Sequence, residues 1–153
     1  MYRALYGEVP LTWSTNMASW ATKWAANCVF MHSPYPWGEN LAIGYATASP
    51  GQVASEFYTY EVCSYNYSNP GFAENTGHFT QIIWASTTSV GCAITTSSTC
   101  PNGVLDPTSN HVYPSSSFYM LVCEYDPPGN VWGEYSMEVP PMTLPPLVLC
   151  SRT

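Results

Sequence analysis

The sequence predicts a single domain that mixes helices and strands. Its 153 residues suit one domain, and 46% of them are hydrophobic, which is enough to build a substantial core. Two segments in the first half space their apolar residues as a helix does. Two segments in the second half are rich in β-branched and aromatic residues, as strands are. No internal repeat or second domain is recognisable.

The first predicted helix follows Leu11-Thr-Trp13, with Ser14 or Thr15 as its N-cap. Its apolar positions recur at spacings of three and four, which predicts one face packed on the core. These positions are Met17, Trp20, Ala21, Trp24, Ala25 and Cys28.

A second helix is predicted over residues 52–60, after the break at Pro50-Gly51. Prolines exclude a helix from residues 33–38, so a loop is expected to lead into Glu39-Asn-Leu-Ala42. Residues 68–77 are rich in Pro, Gly and Asn and predict a loop.

The segment from His78 to Trp84 is short and apolar, so its periodicity does not separate helix from strand. Strands are predicted at Val90–Thr96 and Phe118–Tyr125. The polar connection from Ser97 to Ser117 is expected to be a surface loop. The tail from Met142 to Cys150 is apolar but carries two prolines, which disfavours a helix.

Charge excludes some partners. Ten acidic against three basic residues give a net charge of −7, which would repel nucleic acid. No run of 18 apolar residues is present, so no transmembrane helix is expected. No leader follows Met1, so a secreted form would need one outside this sequence.

Cysteine usage favours an oxidising, extracellular setting, because the count is even and no C-x-x-C pair occurs. Free thiols in a cytosolic protein are the alternative, and 15 pairings are possible. The six cysteines are Cys28, Cys63, Cys92, Cys100, Cys123 and Cys150.

Two of the three histidines, His32 and His78, precede or follow a glycine-containing loop with a glutamate nearby. Imidazole and carboxylate together suit zinc and other divalent cations. The alternative is that each histidine is a hydrogen-bonded structural residue.

Five blocks, in order, resemble the CAP superfamily (cysteine-rich secretory, antigen five and pathogenesis-related proteins), and fungal and plant pathogenesis-related proteins most of all. They cover roughly residues 3–139. The blocks are Leu11-Thr-Trp-Ser14; His32-Ser33 with Gly38-Glu-Asn-Leu-Ala42; Tyr65-Asn-Tyr-Ser-Asn-Pro-Gly-Phe72; Gly77-His-Phe-Thr-Gln-Ile-Ile-Trp84; and Tyr119-Met-Leu-Val-Cys-Glu-Tyr-Asp-Pro-Pro-Gly-Asn130.

The resemblance implies an α+β fold, a three-layer α–β–α sandwich around a small antiparallel sheet, with a short helix opening at His78. Residues 1–139 would form the domain, lacking part of its first helix, and residues 140–153 a divergent proline-rich tail. Cys28, Cys92, Cys100 and Cys123 match the family's disulfide cysteines.

The resemblance also implies a central cleft in which His32 and His78 can hold a divalent cation (zinc, magnesium or calcium), with Glu39 and Glu61 as partners. Neutral imidazoles are needed, so occupancy should fall in acid. Glu124 departs from the family, which has a neutral or basic residue there.

The spacing of Tyr65, Tyr67 and Phe72 resembles a loop that binds sterols in fungal relatives. We therefore expect a secreted, non-enzymatic protein that binds sterols or fatty acids. The three aromatic residues could instead only anchor the loop.

Two other functions stay open. One is metal-dependent hydrolysis, although no G-x-S-x-G or H-E-x-x-H motif is present. The other is an extracellular module in defence or virulence that recognises a host or pathogen surface protein or a glycan.

Overall fold

The computed structural model describes residues 2–143. The chain opens with a short 3-10 helix, and the helices and strands alternate irregularly after it. The 3-10 helix spans Arg3–Tyr6, and the other elements are β1 (Thr12–Trp13), α1 (Thr15–Ala25), β2 (Gly38–Tyr45), α2 (Pro50–Thr59), α3 (Gly77–Ile83), β3 (Ser89–Ile94), β4 (Val104–Asp106), β5 (His111–Tyr113), β6 (Phe118–Asp126) and α4 (Tyr135–Glu138). Within residues 2–143, no helix has the length and apolarity to cross a membrane.

The main sheet has four strands in the order β1-β3-β6-β2. Strand β6 pairs antiparallel with β2 on one side and with β3 on the other, and all but its end residues are buried. The two-residue strand β1 pairs parallel with β3. The central strands are thus antiparallel, as the resemblance implied, and β1 is added in parallel at one edge. The Thr12-Trp13 pair is too short to show a strand pattern in the sequence.

Helices cover both faces of the sheet, which confirms the three-layer α+β sandwich. Met120 and Val122 of β6 pack with Ala21 and Ala25 of α1 on one face. The alternate residues of β6 pack with α2 on the other face, as the two-residue period of a strand requires. Those residues are Tyr119, Leu121, Cys123 and Tyr125, grouped with Val53 and Phe57.

Both predicted N-terminal helices are confirmed. Ser14 caps α1, since its side chain accepts a hydrogen bond from the Met17 N–H at 3.2 Å. Helix α2 begins at Pro50, two residues before the predicted start. Ser49 and Gln52 form a reciprocal capping box there, and proline suits the first turn.

The structure differs from the prediction at two further places. Residues 38–45 form the edge strand β2, whose sequence does not alternate between apolar and polar residues. The predicted surface loop over residues 97–117 contains the hairpin of β4 and β5. His111 lies in this hairpin and is exposed. In contrast, the helix that the resemblance implied at His78 is present as α3.

Two disulfides join the four cysteines that match the family's disulfide cysteines in sequence. Cys28 pairs with Cys100, and Cys92 pairs with its register neighbour Cys123 across β3 and β6. Cys150 lies outside the described residues, as does most of the predicted tail. The first residues of that tail contact the N-terminus, because the Thr143 N–H donates to the Leu5 carbonyl at 2.9 Å.

Arg3 ties the start of the chain to the end of α3. Its buried guanidinium donates hydrogen bonds to five backbone carbonyls at 2.7 to 3.3 Å. The acceptors are Val9, Ile82, Trp84, Ala85 and Thr87. A planar group with five donors can satisfy such a set, whereas a lysine cannot.

Candidate functional site

His32 and Glu39 form the first half of the candidate site. The Nδ1 atom of His32 lies 2.5 Å from Oε1 of Glu39, the second residue of β2. The same carboxylate accepts the backbone N–H of Ser33 at 3.0 Å. The side chain of His32 is 69% exposed, whereas that of Glu39 is 5% exposed. The hydrogen bond to Glu39 raises the pKa of His32 above its usual value.

His78 and Glu61 form the second half. The Nδ1 atom of His78, in the first turn of α3, lies 2.6 Å from Oε1 of Glu61. The other carboxylate oxygen accepts the backbone N–H of Phe79 at 2.9 Å. Phe57 of α2 stacks on the imidazole, with ring centroids 4.8 Å apart. Each predicted histidine is therefore held by one predicted glutamate.

A cavity of about 310 Å³ joins the two halves. Its walls are His32, Glu39, Asn40, Phe72, Glu74, Gly77 and His78. Glu61 is nearly buried behind His78 and does not line this cavity. Asn40 fixes the floor, because its side-chain amide donates to the His78 carbonyl and to the Tyr125 hydroxyl. The sequence had placed Asn40 next to Glu39 without giving it this role.

The geometry leaves only one nitrogen of each imidazole, Nε2, for another ligand. Both carboxylates are already engaged by an imidazole and a backbone N–H, an arrangement that orients metal-binding histidines in proteins. Residues 2–143 hold no cluster of three or more His, Cys, Asp or Glu side chains suited to a metal ion. The donor set in this cavity is thus two imidazoles, whereas catalytic zinc has three protein ligands.

Glu124 lies beside this site and was noticed in the sequence only as a departure from the family. It faces Glu39 in the register of β6 and β2, and it is fully buried. Neither of its carboxylate oxygens has a hydrogen-bond partner among the described residues. Burial first, and then the negative charge of Glu39, raise the pKa of Glu124 to about 8.

The structure separates the three aromatic residues of the predicted sterol loop. Tyr65 is buried and packs on Phe79 and Tyr67, so it anchors the loop. Tyr67 is 40% exposed and Phe72 is 55% exposed. Phe72 lines both the histidine cavity and a second cavity of about 500 Å³ under the loop. The walls of this second cavity, here called the loop cavity, are Ser64, Tyr65, Asn66, Asn69, Pro70, Gly71, Phe72, Ala73, Thr76 and Trp132.

A separate apolar groove of about 410 Å³ lies between the start of α2 and the sheet. Trp13 flanks it at the β1 edge, and Leu121 and Ile94 form part of its floor. Of the two basic residues in the described chain, Arg3 and Lys23, neither lines this groove.

The chain is similar in sequence to a family of secretory proteins. A profile described as "CAP: Cysteine-rich secretory protein family" matches residues 1–125. Protein PRY2 of Saccharomyces cerevisiae is 38% identical over 92% of this chain and 38% of its own length. Pathogenesis-related protein 1B of Nicotiana tabacum is 34% identical over 86% of this chain and 72% of its own length. The chain spans 38% to 60% of the length of PRY2, the Candida albicans protein "Repressed by EFG1 protein 1" and the Schizophyllum commune fruiting body protein SC7.

Solved structures share the fold at lower identity. The crystal structure of NaASP2 with Zn2+ has a TM-score of 0.60 at 19% identity, over 94% of this chain and 70% of that one. Schistosoma mansoni venom allergen-like protein 4 has a TM-score of 0.56 at 20% identity, over 81% of this chain and 72% of its own. These likenesses concern the architecture alone.

Proposed function

Because this chain belongs to the cysteine-rich secretory protein (CAP) family, we propose that it is a secreted, non-enzymatic protein that binds neutral lipids, with sterols as the main ligand. One observation carries the proposal: Tyr67 and Phe72 are exposed on a loop that covers a 500 Å³ cavity. The two disulfides fit an extracellular setting. A defence or virulence role would follow from removal of sterol from a membrane.

The residues that line the loop cavity favour a neutral ligand. None of the described residues that line it is acidic, basic or a histidine, although the whole chain carries a net charge of −7. Its size lies within the range of known ligand pockets, roughly 300 to 1,000 Å³. An apolar ligand would also cover the Phe72 ring, and burial of apolar surface contributes about 25 cal/mol per Å².

The groove between α2 and the sheet supports fatty acids as a second ligand class. Its surface is almost wholly apolar, and no basic side chain of the described chain is present to pair with a carboxylate inside it. A fatty acid would therefore place its chain in the groove and its carboxylate in solvent.

The proposal is tested by titrating the protein with a fluorescent sterol. We expect saturable binding, weakened about tenfold or more by Phe72→Ala, which removes an exposed ring from the cavity wall, and by Tyr67→Ala, which removes an exposed ring from the same loop. Tyr60→Ala is the matched control, since Tyr60 is an exposed tyrosine at the end of α2 outside the loop. Circular dichroism checks that the variants are folded.

A folded wild-type protein that shows no binding at micromolar sterol would overturn the proposal. Equal affinity of the wild type and both loop variants would remove the loop from the site even if binding occurs.

Cation binding at the cleft is a second candidate. The observation in its favour is that Glu39 and Glu61 hold the Nδ1 atoms of His32 and His78, so both Nε2 atoms are available in one cavity. A divalent cation there would supply a positive charge and solvent-filled coordination positions. Zinc suits this donor set better than magnesium or calcium, because the latter two prefer oxygen ligands.

Calorimetric titration with Zn²⁺ tests this candidate. His78→Ala should abolish binding, whereas His111→Ala should not, because His111 lies in the exposed hairpin of β4 and β5. Binding that survives His78→Ala, or is lost in both variants, would contradict a site in the cleft.

Hydrolysis is the less supported alternative. Both glutamates that could act as a general base already accept hydrogen bonds from an imidazole and a backbone N–H. Each glutamate thus orients an imidazole, which favours a positioning role over that of a general base. Recognition of a host or pathogen surface protein or glycan stays a prediction of the resemblance.

A further inference from the structure

Trp132 forms a wall of the loop cavity that the sequence did not single out. It lies between β6 and α4, away from the aromatic loop in sequence, and its side chain is 88% exposed. Among the exposed large hydrophobic residues of the described chain, Trp132 has the greatest exposed fraction. Here it lines the loop cavity together with Pro70 and Gly71.

A smaller cavity of about 180 Å³ adjoins the loop cavity. The two share three wall residues, Pro70, Gly71 and Trp132, so they lie next to each other. A Cβ atom placed on Gly71 would meet nothing within 4 Å. Gly71 is therefore not packed against neighbouring atoms on its side-chain side, and displacement of Pro70-Gly71 would join the two cavities.

The smaller cavity is also lined by Tyr135, the first residue of α4. This side chain is 3% exposed, and its hydroxyl has no hydrogen-bond partner among residues 2–143. Tyr65, on the wall of the loop cavity, also has a buried hydroxyl, which lies close to the Gly71 backbone. Burial raises the pKa of Tyr135 to about 12, so the group is a neutral donor at physiological pH. An unpaired buried hydroxyl is costly and calls for a partner.

We propose that the two cavities form one binding site for a rigid, neutral lipid that carries a hydroxyl, with Trp132 packed on the apolar body and the Tyr135 hydroxyl bonded to the lipid hydroxyl. The inference rests on the proposed function and names residues on the opposite side of the site from the aromatic loop. Entry requires the Pro70-Gly71 segment to move aside, because the Tyr135 hydroxyl is closed to solvent.

A sterol matches this shape better than a fatty acid does. A sterol has a broad apolar ring system and a single hydroxyl, so it can cover Trp132 and satisfy Tyr135 at once. A fatty acid carries a charged carboxylate, which would find no positive side chain among the walls described for either cavity.

The test is competition by unlabelled sterol, and by its analogue that lacks the hydroxyl, against a fluorescent sterol. Trp132→Ala should weaken both competitors about tenfold, because it removes apolar contact area. Tyr135→Phe should weaken the sterol about fivefold and leave the analogue unchanged, because it removes one hydrogen bond only. Tyr60→Ala is again the control, since Tyr60 is an exposed aromatic residue that lines neither of the two cavities.

Each outcome has a distinct meaning. A wild-type protein that binds no sterol overturns the proposed function itself. Binding that is unchanged in Trp132→Ala overturns this inference alone. A Tyr135→Phe variant that affects sterol and analogue equally, or neither, overturns the hydroxyl pairing. That variant keeps the ring and removes only an unpaired group, so urea unfolding should show that it is at least as stable as the wild type.

Discussion

Glu124 shows how one buried carboxyl couples this fold to pH. It lies on the α1 face of the sheet, between Glu39 of β2 and Gly91 of β3 in the strand register. Glu39 is the acidic neighbour on β2, Gly91 contributes no side chain, and the one charged residue of α1, Lys23, is paired with Trp20 at the surface. With no cation facing it, Glu124 keeps its proton at neutral pH.

We predict that this carboxyl makes the folded state less stable as pH rises. Its pKa is about 8 in the folded protein, against an ordinary value of 4.5. Between pH 4.5 and about 8, the unfolded chain has released the Glu124 proton, whereas the folded chain retains it. The free energy of unfolding therefore falls as pH rises through this range, and it levels off above about pH 8. The loss is on the order of a few kcal/mol.

Glu124→Gln measures this effect, because an amide keeps the shape and a donor but does not titrate. Urea unfolding at pH 5, 6, 7 and 8 should show that the wild type loses stability relative to the variant across this range. Glu56→Gln, at an exposed position of α2, is the control and should follow the wild type. A constant difference between wild type and Glu124→Gln at all four pH values would contradict the prediction.

At the residue scale, the resemblance found His32, His78, Glu39 and Glu61 but not how they pair. The pairing depends on which side of the cavity each loop approaches, and spacing in the sequence does not encode this. Trp132 and Tyr135 were missed for a related reason: their environment is built by a loop some sixty residues earlier in the chain.

At the scale of elements, the closest approach of a glycine to another backbone in the described chain joins α1 to β3 at Gly91. A Cβ atom on Gly91 would lie 2.1 Å from the backbone nitrogen of Ala18 and 2.4 Å from the Ser14 carbonyl oxygen. The helix backbone thus rests directly on the strand, which only glycine allows. This contact holds the α1 layer close enough to bury Met17 and Ala21.

Gly91→Ala should therefore destabilise the fold by about 3 kcal/mol or more, because the clash is with backbone atoms that cannot rotate away. Gly51→Ala is the contrasting control. Gly51 lies in the first turn of α2 with open space around it, and alanine favours helix, so that variant should be neutral or slightly more stable. Thermal unfolding of both variants decides the matter. Equal melting temperatures for Gly91→Ala and Gly51→Ala would show that α1 can shift away from β3 to accommodate the alanine methyl group.

The elements differ in how well the sequence predicted them. Helices α1 and α2 were predicted because their apolar period extends over two or more turns and each start carries a capping residue. Strand β6 was predicted because it is a long apolar run at the centre of the sheet. The strands β1, β4 and β5 have two or three residues each and owe their pairing to tertiary contacts, so no local pattern indicated them.

At the scale of the whole molecule, the two disulfides that have both cysteines within residues 2–143 tie distant parts of the chain together. The bond between Cys28 and Cys100 spans 72 residues and links the end of α1 to the segment before β4. The bond between Cys92 and Cys123 spans 31 residues and lies within the sheet. Both restrict the unfolded chain more than they change the folded one.

Removal of the longer link by Cys28→Ser with Cys100→Ala should lower the free energy of unfolding by about 4 kcal/mol, from the loop-closure entropy of a chain segment of this length. Guanidinium unfolding without reductant measures the change. A loss below about 1 kcal/mol would mean that the segment from 28 to 100 stays ordered in the denatured state.

The chain contains three basic residues, and the burial of Arg3 affects how readily trypsin-like proteases can cleave the protein. Such enzymes need an extended backbone and a free basic side chain. Arg3 has its guanidinium bound to five carbonyls, and Lys23 lies within α1. Cleavage at these two positions must wait for local unfolding. Trypsin-like enzymes would therefore cut the folded chain at Arg3 and Lys23 only as often as these segments open.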